Sequence, residues 1–398
     1  MFTKALIPYR AYYSSTFSKW QMSLANVHSF ELGAQTVNRW MGEKGLDPMQ
    51  FDYLYLGYTI HQKQAFYGAP WMAGMIGALN TTGCSVTQAC STSTTCLYNS
   101  AAGIEAGTFS NVINVMVDRC SNGPHVVWPN PPGPGGEVIS ENWMMENFGR
   151  DPHAGGSMVQ TAENAAKEIG LTKERCDEVA ARRYEQYADA LKDDRAFQKG
   201  YMFPVEVKVS RKKTNVLDQD EGLVPTTLES LTNLRPVAEG AVHSFGSQTH
   251  PADGNAAVIV TTKERAKELS ADPSITIQIC SYGQTRVEKG MMPKALVPAA
   301  QMALEKAGIS VADVKAVKTH NPFIANDLYL CEKMGFDAMD INNYGSPLVF
   351  GHPPGPTVAP CVIELLEELV GKGGGYGLFT GCAAGDTGAA LVIKVTCD

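Results

Sequence analysis

The stretch Gln88-Ala89-Cys90-Ser91-Thr92-Ser93 decides how the rest of this chain is interpreted. It precedes a helical pattern of small residues at 94–107. A cysteine at the start of a helix meets the positive end of the helix dipole, which favours the nucleophilic thiolate over the thiol. This position predicts that Cys90 accepts an acyl group. The alternative is a small buried packing residue, which is what most free cysteines are.

Length and composition are those of an ordinary soluble globular protein. The chain has 398 residues, enough for two or three domains, and it is 44% hydrophobic and 19% charged. A formal net charge of -8 argues against nucleic acid as the main partner, because phosphate binding needs a basic surface. No apolar run reaches the roughly 20 residues that span a bilayer, and residues 1–8 lack a signal-peptide core. We therefore expect a cytoplasmic protein with no membrane or nucleic-acid partner.

The 10 cysteines are expected to be free thiols. They include no Cys-x-x-Cys pair, so the sequence predicts no metal site. In a reducing compartment most free thiols are packing residues. A catalytic cysteine therefore has to be identified by its surroundings.

Two parts of the chain alternate helices with short apolar strands, which is typical of an α/β fold whose sheets are covered on both faces. The first part consists of residues 1–120 and 241–268, and the second consists of residues 269–398. The predicted helices are 23–44, 94–107, 263–269, 296–307, 324–334 and 358–370, and the predicted strands are 53–58, 111–117, 254–260, 275–282 and 314–319.

Short stretches of similar sequence in these two parts indicate an internal duplication. A Gly-Asn-Ala-Ala run opens the strand at 254–260, and a similar Gly-Ala-Ala run opens an apolar stretch at 388–393. A turn followed by a helix occurs both at Cys90 and at His352. Repeats of this kind predict two similar halves that pack together with a site at their junction.

Residues 121–240 are interpreted as an inserted subdomain. Its first part, 123–156, is rich in Pro, Gly and aromatic residues and is predicted to be a long irregular functional loop. Two helices follow at 158–169 and 172–191, the second with Thr172 as its N-cap, and a basic β-like segment lies at 205–213.

Three further residues with catalytic chemistry lie at the ends of elements in the second half, where α/β proteins place their sites. His320 ends a strand, His352 lies in a Gly-Pro turn before a helix, and Cys382 precedes a Gly-rich turn. Taken alone, a histidine in such a turn is more often structural, and Cys382 is a packing residue in most proteins. Together with Cys90 they make a nucleophile, two imidazoles and a second thiol.

The motifs around these residues resemble those of the thiolase superfamily, nearly end to end and in the family's order. The His320 segment is nearest to the His-Asp-Cys-Phe of sterol-carrier-protein-type and archaeal thiolases. The matching segments are Ala89-Cys90-Ser91-Thr92 (with Ser93 for the family's Gly), Met158 and Thr161-Ala162-Glu163-Asn164-Ala165-Ala166 (with Val159 for Gly), His320-Asn321-Pro322-Phe323, Gly351-His352-Pro353-x-Gly355, and Cys382-Ala383-Ala384-Gly385 (with Ala384 for Gly).

The resemblance implies a five-layer αβαβα fold built from two duplicated halves with an inserted loop subdomain. It also implies thiolytic cleavage, or the reverse Claisen condensation, of a 3-oxoacyl-CoA. Cys90 would form the thioester, His352 would take its proton with an imidazole pKa near neutrality, and Cys382 would exchange a proton with the departing or attacking carbon. His320 would stabilise the enolate, and the backbone N–H groups of Cys90 and Ala384 would form a second oxyanion hole.

The same resemblance implies coenzyme A as substrate, with no permanently bound cofactor. Met158, Ser247, Thr249 and Phe323 match the pantetheine pocket, although Thr249 stands for the usual Ser and is followed by a His in place of Gly. Arg211, with the next two lysines, is expected to meet the nucleotide phosphates; the alternative is a solvated charge run. The family forms dimers or tetramers, so we expect the same here.

Other readings of these residues stay open at the level of sequence. A decarboxylating ketosynthase uses one cysteine and two histidines, an aldolase relative usually lacks the nucleophile, and an acyl-CoA-binding scaffold would be non-catalytic. For the substrate, Trp128, Trp143 and Phe148 predict an aromatic acyl pocket. With the His320 segment they resemble thiolases of anaerobic aromatic degradation, in particular the catalytic subunit of benzoylsuccinyl-CoA thiolase, which works with a small zinc-ribbon/OB-fold partner subunit.

Overall fold

The computed structural model describes all residues from 1 to 398. Its strands are β1 (Tyr12–Ser15), β2 (Ser18–Lys19), β3 (Tyr53–Gly57), β4 (Thr82–Val86), β5 (Asn111–Arg119), β6 (His125–Pro129), β7 (Val138–Asn142), β8 (Met202–Phe203), β9 (Val205–Ser210), β10 (Lys213–Leu217), β11 (Ala252–Thr261), β12 (Ile275–Arg286), β13 (Val314–His320), β14 (Gly375–Ala383) and β15 (Thr387–Cys397).

The α-helices are α1 (Ser29–Lys44), α2 (Gly68–Met75), α3 (Thr92–Glu105), α4 (Trp143–Gly149), α5 (Met158–Glu168), α6 (Lys173–Ala190), α7 (Lys192–Lys199), α8 (Leu228–Thr232), α9 (Lys263–Leu269), α10 (Leu296–Ala307), α11 (Ile324–Met334), α12 (Pro347–Phe350) and α13 (Val358–Gly371). None of them is both long enough and apolar enough to cross a bilayer.

Two mixed sheets form the framework. The first has the strand order β4-β3-β5-β11-β1-β8, with β2 paired to β11, and the second has the order β12-β15-β14-β13. In each sheet a parallel pair lies beside a long antiparallel pair, β5–β11 in the first and β14–β15 in the second. The N-terminal segment joins the sheets, because Leu6 bonds to Thr261 of β11 and Ile7 bonds to Ile277 of β12.

Helices α3 and α13 fill the space between the sheets. Their apolar side chains belong to one buried cluster that also takes residues from both sheets. Helices α1 and α2 cover the outer face of the first sheet, and α10 and α11 cover the outer face of the second. This gives five layers, α-β-α-β-α, and confirms the predicted fold. It also places the turns before α3 and α13 at the same junction.

The segment 121–240 contains more regular structure than the sequence predicted. The prediction of an irregular loop at 123–156 was wrong, because β6 and β7 pair as a hairpin and α4 follows it. Strands β9 and β10 form a second hairpin, and the short β8 between helix α7 and β9 pairs with β1 at the edge of the first sheet.

Two helix boundaries show how capping decides where a helix begins. Helix α1 begins at Ser29 rather than near residue 23, because the His28 imidazole accepts a hydrogen bond from the Phe30 backbone N–H at 3.2 Å and ends the preceding turn. Helix α6 begins after Thr172, as predicted, and the Thr172 hydroxyl accepts from the Arg175 N–H.

Candidate active site

Cys90 lies in a tight turn between β4 and α3, at the N-terminal end of the helix in the central layer. Ala89 has φ of 45°, a left-handed conformation that is rare for a residue with a side chain. The Thr92 hydroxyl holds the turn by donating to the Ala89 carbonyl at 2.7 Å and accepting from the Gln88 N–H at 2.9 Å. The strained turn therefore fixes the direction of the Cys90 side chain.

Ser93, which departs from the family's glycine, ties this turn to the second half. Its hydroxyl donates to the Gly355 carbonyl at 2.5 Å. Gly355 also gives its backbone N–H to the Asp118 carboxylate at 2.6 Å. The turn that carries His352 is thereby held against the turn that carries Cys90.

His352 contacts the Cys90 sulfur directly, with 3.0 Å between Nε2 and Sγ. On the other side of the ring, Nδ1 lies 2.7 Å from the Thr357 hydroxyl oxygen. The Thr357 hydroxyl donates its one proton to the Pro353 carbonyl, so its oxygen accepts from Nδ1–H. The neutral ring therefore presents an unprotonated Nε2 to the Cys90 thiol.

Burial sets the protonation of this pair. Burial raises the pKa of Cys90 to about 12, although the backbone N–H groups of Ala384 and Cys90 lower it in part. Burial, reinforced by the neighbouring His320, lowers the pKa of His352 well below its usual value. The resting state is a neutral thiol and a neutral imidazole. Both pKa shifts run against the expectations of a thiolate favoured by the helix and of an imidazole pKa near neutrality, because burial removes water from the charged forms.

Cys382 and His320 lie beside the first pair at the ends of adjacent parallel strands. His320 is in register with Gly381 of β14, and its Nδ1 lies 3.7 Å from Cys382 Sγ. The rings of His320 and His352 are 4.4 Å apart. Burial lowers the pKa of His320 to about 3 and raises that of Cys382 well above its usual value. The four predicted side chains are brought together, in neutral form.

Hydrogen bonds hold Cys382 and His320 beside the Cys90–His352 pair; both residues are fully buried, and the cavity described below is lined by Cys90 and His352 instead. The Asn326 side-chain N–H donates to Cys382 Sγ at 3.2 Å. In the tautomer that carries its proton on Nε2, His320 Nδ1 accepts from the Cys382 thiol. His320 Nε2 has no hydrogen-bond partner although the residue is fully buried. It is therefore available to donate to a substrate oxygen.

The residues that position these groups were not predicted from the sequence. Thr357 bonds to His352, and Asn326 bonds to Cys382. Asn321 bonds through its side chain to Asp327, Ser346 and the Leu348 backbone, which ties the His320 segment to the segment before His352. The sequence offered one signal for each: Thr357 is a polar residue five positions after His352, and Asn326 is a polar residue six positions after His320.

A cavity of about 560 Å³ opens onto Cys90, His352 and Ala384. The predicted pantetheine residues Met158, Thr249 and Phe323 line it, and so do Trp143 and Phe148 of the predicted aromatic pocket. Other apolar wall residues are Ile60, Met144, Val159 and Met292.

Three predicted binding residues are not part of this wall. Ser247 is fully buried, and its hydroxyl bonds to the backbone of Ser244, so it supports the loop instead of facing the cavity. Arg211 lies in the exposed turn between β9 and β10. Trp128 lies on the exposed β6–β7 hairpin, where its indole N–H donates to Glu141 at 2.7 Å. In each case local hydrogen bonding or the hairpin geometry directs the side chain elsewhere.

Cys90, His320 and His352 are also the one set of side chains whose arrangement suggests metal ligands, with ligand atoms within 4.8 Å of one another. Two ligands on one zinc ion lie roughly 3.5 Å apart, given Zn–S of about 2.3 Å and Zn–N of about 2.0 Å. The 3.0 Å contact between Cys90 Sγ and His352 Nε2 is shorter than that and is the length of a hydrogen bond. The set fits proton transfer better than metal binding.

Comparison with known proteins identifies the family of the chain. Residues 12–264 match the family model of the thiolase N-terminal domain, and residues 274–395 match that of the thiolase C-terminal domain. The chain is 29% identical over 379 residues to an acetyl-CoA acetyltransferase of Escherichia coli, covering 94% of each chain. It is 30% identical over 421 residues to a 3-ketoacyl-CoA thiolase of Aliivibrio fischeri, covering 95% of this chain and 93% of the relative.

Solved structures show the same architecture over nearly the whole chain. Human mitochondrial 3-ketoacyl-CoA thiolase superposes with a TM-score of 0.90 at 24% identity, covering 99% of each chain. The Bacillus anthracis acetyl-CoA acetyltransferase gives a TM-score of 0.89 at 25% identity and the same coverage. Because both family models match and together span most of the sequence, the chain belongs to the thiolase family of acyltransferases.

Proposed function

We propose that this protein cleaves a 3-oxoacyl-CoA with free coenzyme A, and catalyses the reverse Claisen condensation, through an acyl-enzyme on Cys90. The contact between Cys90 Sγ and His352 Nε2 at 3.0 Å carries the proposal, because it joins a nucleophile to its general base. The names of the curated relatives, acetyl-CoA acetyltransferase and 3-ketoacyl-CoA thiolase, support the same reaction.

In the first half of cleavage, His352 Nε2 takes the Cys90 thiol proton while the sulfur attacks the 3-oxo carbon. The bond between carbons 2 and 3 then breaks, and its electron pair stays on carbon 2 as the enolate of the departing acyl-CoA. Cys382 gives its thiol proton to carbon 2 and becomes a thiolate. In the second half, coenzyme A gives its thiol proton to that thiolate and attacks the Cys90 thioester, and the His352 imidazolium returns a proton to Cys90.

Two groups of donors stabilise the negative oxygens of this scheme. His320 Nε2, unpartnered and buried, donates to the thioester oxygen of the enolate. The backbone N–H groups of Cys90 and Ala384, which both act on the Cys90 sulfur, serve the oxygen of the tetrahedral intermediate. One such donor contributes roughly 3–4 kcal/mol in comparable sites. The pantetheine arm of the acyl-CoA lies along Met158, Thr249 and Phe323. No permanently bound cofactor takes part in the reaction.

Mass spectrometry of the protein incubated with a panel of acyl-CoAs tests the reaction. We expect one acyl adduct at Cys90, none in Cys90→Ser, and adduct formation without cleavage of 3-oxoacyl-CoA in Cys382→Ala. An adduct at another cysteine would show that the nucleophile is misassigned. Release of CO2 from a malonyl thioester would instead favour a decarboxylating ketosynthase, which uses a Cys-His-His set such as Cys90, His320 and His352. If neither an adduct nor turnover is observed, the protein is a non-catalytic acyl-CoA-binding protein.

For the acyl group we propose an aromatic ring, as in benzoylsuccinyl-CoA, which gives benzoyl-CoA and succinyl-CoA. Trp143 and Phe148 on the cavity wall support this, and His61 packs edge-on against Trp143 at 4.7 Å. The test compares kcat/KM for benzoylsuccinyl-CoA and acetoacetyl-CoA, with the protein alone and co-expressed with a zinc-ribbon/OB-fold subunit. Full activity of the protein alone on acetoacetyl-CoA, with none on the aromatic substrate, would overturn this assignment.

We also propose that two copies associate through β4. This strand is the edge of the first sheet and pairs only with β3. Exposed apolar side chains lie near it: Phe66 and Tyr67 precede Gly68, whose Cα faces Ser85 of β4, and Leu79 lies just before the strand. An unprotected edge of this kind favours pairing with a second strand.

We also propose that the protein is cytoplasmic. Its ten cysteines are all free thiols, which suits the reducing environment of the cytoplasm.

A further inference from the structure

A second cleft of about 370 Å³ lies behind the catalytic cavity. Its walls are polar in part, with Gln21, Asn122, His125 and Asn142 contributing side chains. Met144 lines this cleft and also lines the catalytic cavity. Met144 is the only residue common to the two linings, so its side chain is part of the partition between the two spaces.

The partition around Met144 is a small apolar cluster of its own. Ile60, Cys120 and Met144 are its buried members. Trp143 and Phe148 pack on it from the catalytic cavity, and Trp20 packs on it from the second cleft. Because Met has three flexible torsions and no branch, it is the member of the cluster whose side chain can most easily move aside.

The partition lies at the Cys90 end of the cavity. The Thr59 hydroxyl donates to the Ala89 carbonyl at 3.2 Å, and the Trp143 indole N–H donates to the Thr59 carbonyl at 3.2 Å. These bonds join the Cys90 turn to the residues on either side of Ile60 and Met144. Met158, Thr249 and Phe323, which we assign to the pantetheine arm of the acyl-CoA, belong to other segments of the wall.

We propose that Met144 is the end wall of the acyl pocket and restricts this enzyme to compact acyl groups, a short chain or a single ring. Longer linear chains are excluded because their distal carbons meet Met144 before they reach the second cleft. This inference rests on the proposed thiolase reaction and adds the acyl size class. Shortening residue 144 opens the partition and gives such chains a path into the cleft.

The test measures kcat/KM for 3-oxobutanoyl-CoA, 3-oxooctanoyl-CoA and 3-oxododecanoyl-CoA. We expect the wild type to prefer the shortest substrate and Met144→Ala to shift the preference toward the longer ones. Each methylene that becomes buried contributes a factor of up to about four, so the ratio of long to short substrate should rise on the order of tens of fold. Met144→Val should shift the ratio in the same direction with less disturbance of the cluster.

Met145→Ala is the matched control, because Met145 is the next residue of α4, is half exposed and lines neither space. Its substrate ratio should equal that of the wild type, and Met144→Leu should also retain the wild-type ratio. A wild type that cleaves the longest substrate as well as the shortest, or an unchanged ratio in both Met144→Ala and Met144→Val, would overturn the inference. Absence of cleavage of these three substrates and of benzoylsuccinyl-CoA, also with the zinc-ribbon/OB-fold subunit co-expressed, would instead overturn the proposed reaction.

Discussion

Cys90 and His352 are both neutral at rest because the protein removes both from water. A buried ion pair would have to regain its lost hydration from the surrounding groups, and only two backbone N–H groups face the sulfur. Proton transfer is therefore coupled to attack on the substrate. This protonation state has a kinetic consequence that can be measured.

We expect the acid limb of kcat/KM for acyl transfer to lie below pH 6.5. His352 acts as a base only when it is neutral, and burial lowers its pKa, so the protonation that inactivates it occurs at a lower pH than for an exposed imidazole, whose pKa is about 6.5. Cys90, with its pKa raised to about 12, should show alkylation by iodoacetamide that still increases with pH above 9. An acid limb at or above pH 6.5, or alkylation that levels off near neutrality, would contradict a neutral pair.

Thr357 should control the tautomer of His352. In Thr357→Val the Nδ1–H loses its acceptor, so the ring proton can move to Nε2, where it blocks proton transfer from Cys90. We expect kcat for acyl-enzyme formation to fall about 10- to 100-fold, the equivalent of roughly 1–3 kcal/mol for a lost buried hydrogen bond. Thr357→Ser keeps the hydroxyl and should restore the rate. If Val and Ser variants acylate equally fast, Thr357 has only a packing role.

At the scale of elements, the sequence predicted the parts that follow a simple physical pattern. Helix α11 was predicted with its observed bounds because its apolar residues recur at helical spacing. Strand β4 was missed, because Thr-Gly-Cys-Ser-Val carries small, exposed residues without alternation. The β6–β7 hairpin was missed for a different reason: the Pro and Gly residues at 129–136 between its strands are typical of an irregular loop.

The segment after β3 and the turn before α13 meet through Asp118, near the end of β5. Its carboxylate accepts from the backbone N–H groups of Thr59, Ile60 and Gly355. Burial raises its pKa to about 7. Asp118 therefore joins the cavity wall beside Ile60 to the turn that carries His352.

Asp118→Ala should lower both stability and activity. Three N–H groups, two of them at buried sites, lose their acceptor. We expect a loss of about 2–4 kcal/mol in the free energy of unfolding, together with a lower kcat. Denaturant titration and steady-state kinetics measure the two effects. The matched control is Asp52→Ala, since Asp52 accepts from the backbone of Ser110 and Asn111 at an exposed site away from the cavity. Asp52→Ala should affect stability alone, and an equal loss of kcat in both variants would contradict the positioning role of Asp118.

On the scale of the whole molecule, convergence of the site depends on the packing of both halves around α3 and α13. The order of the motifs around Cys90, His320, His352 and Cys382 identified the catalytic residues, because each of the four stands at the end of an element in a duplicated fold. The sequence could not give their pKa values, since desolvation at the junction is a property of the assembled layers. It likewise could not separate Ser247 and Arg211 from Met158 and Phe323, because which side chains face a cavity depends on loop geometry.

If two copies pair through β4, Cys84 should lie near the symmetry axis. Cys84 is exposed on this edge strand, so in an antiparallel pair it comes close to the same residue of the second copy. We expect the protein to sediment at twice 42.9 kDa and Cys84→Lys to shift it to the monomer, because like charges then oppose each other at the edge. Mild oxidation should cross-link the wild type but not Cys84→Ser. Cys397, the other exposed cysteine, provides the control: Cys397→Lys should remain dimeric, and a dimeric Cys84→Lys or a monomeric wild type would exclude pairing through β4.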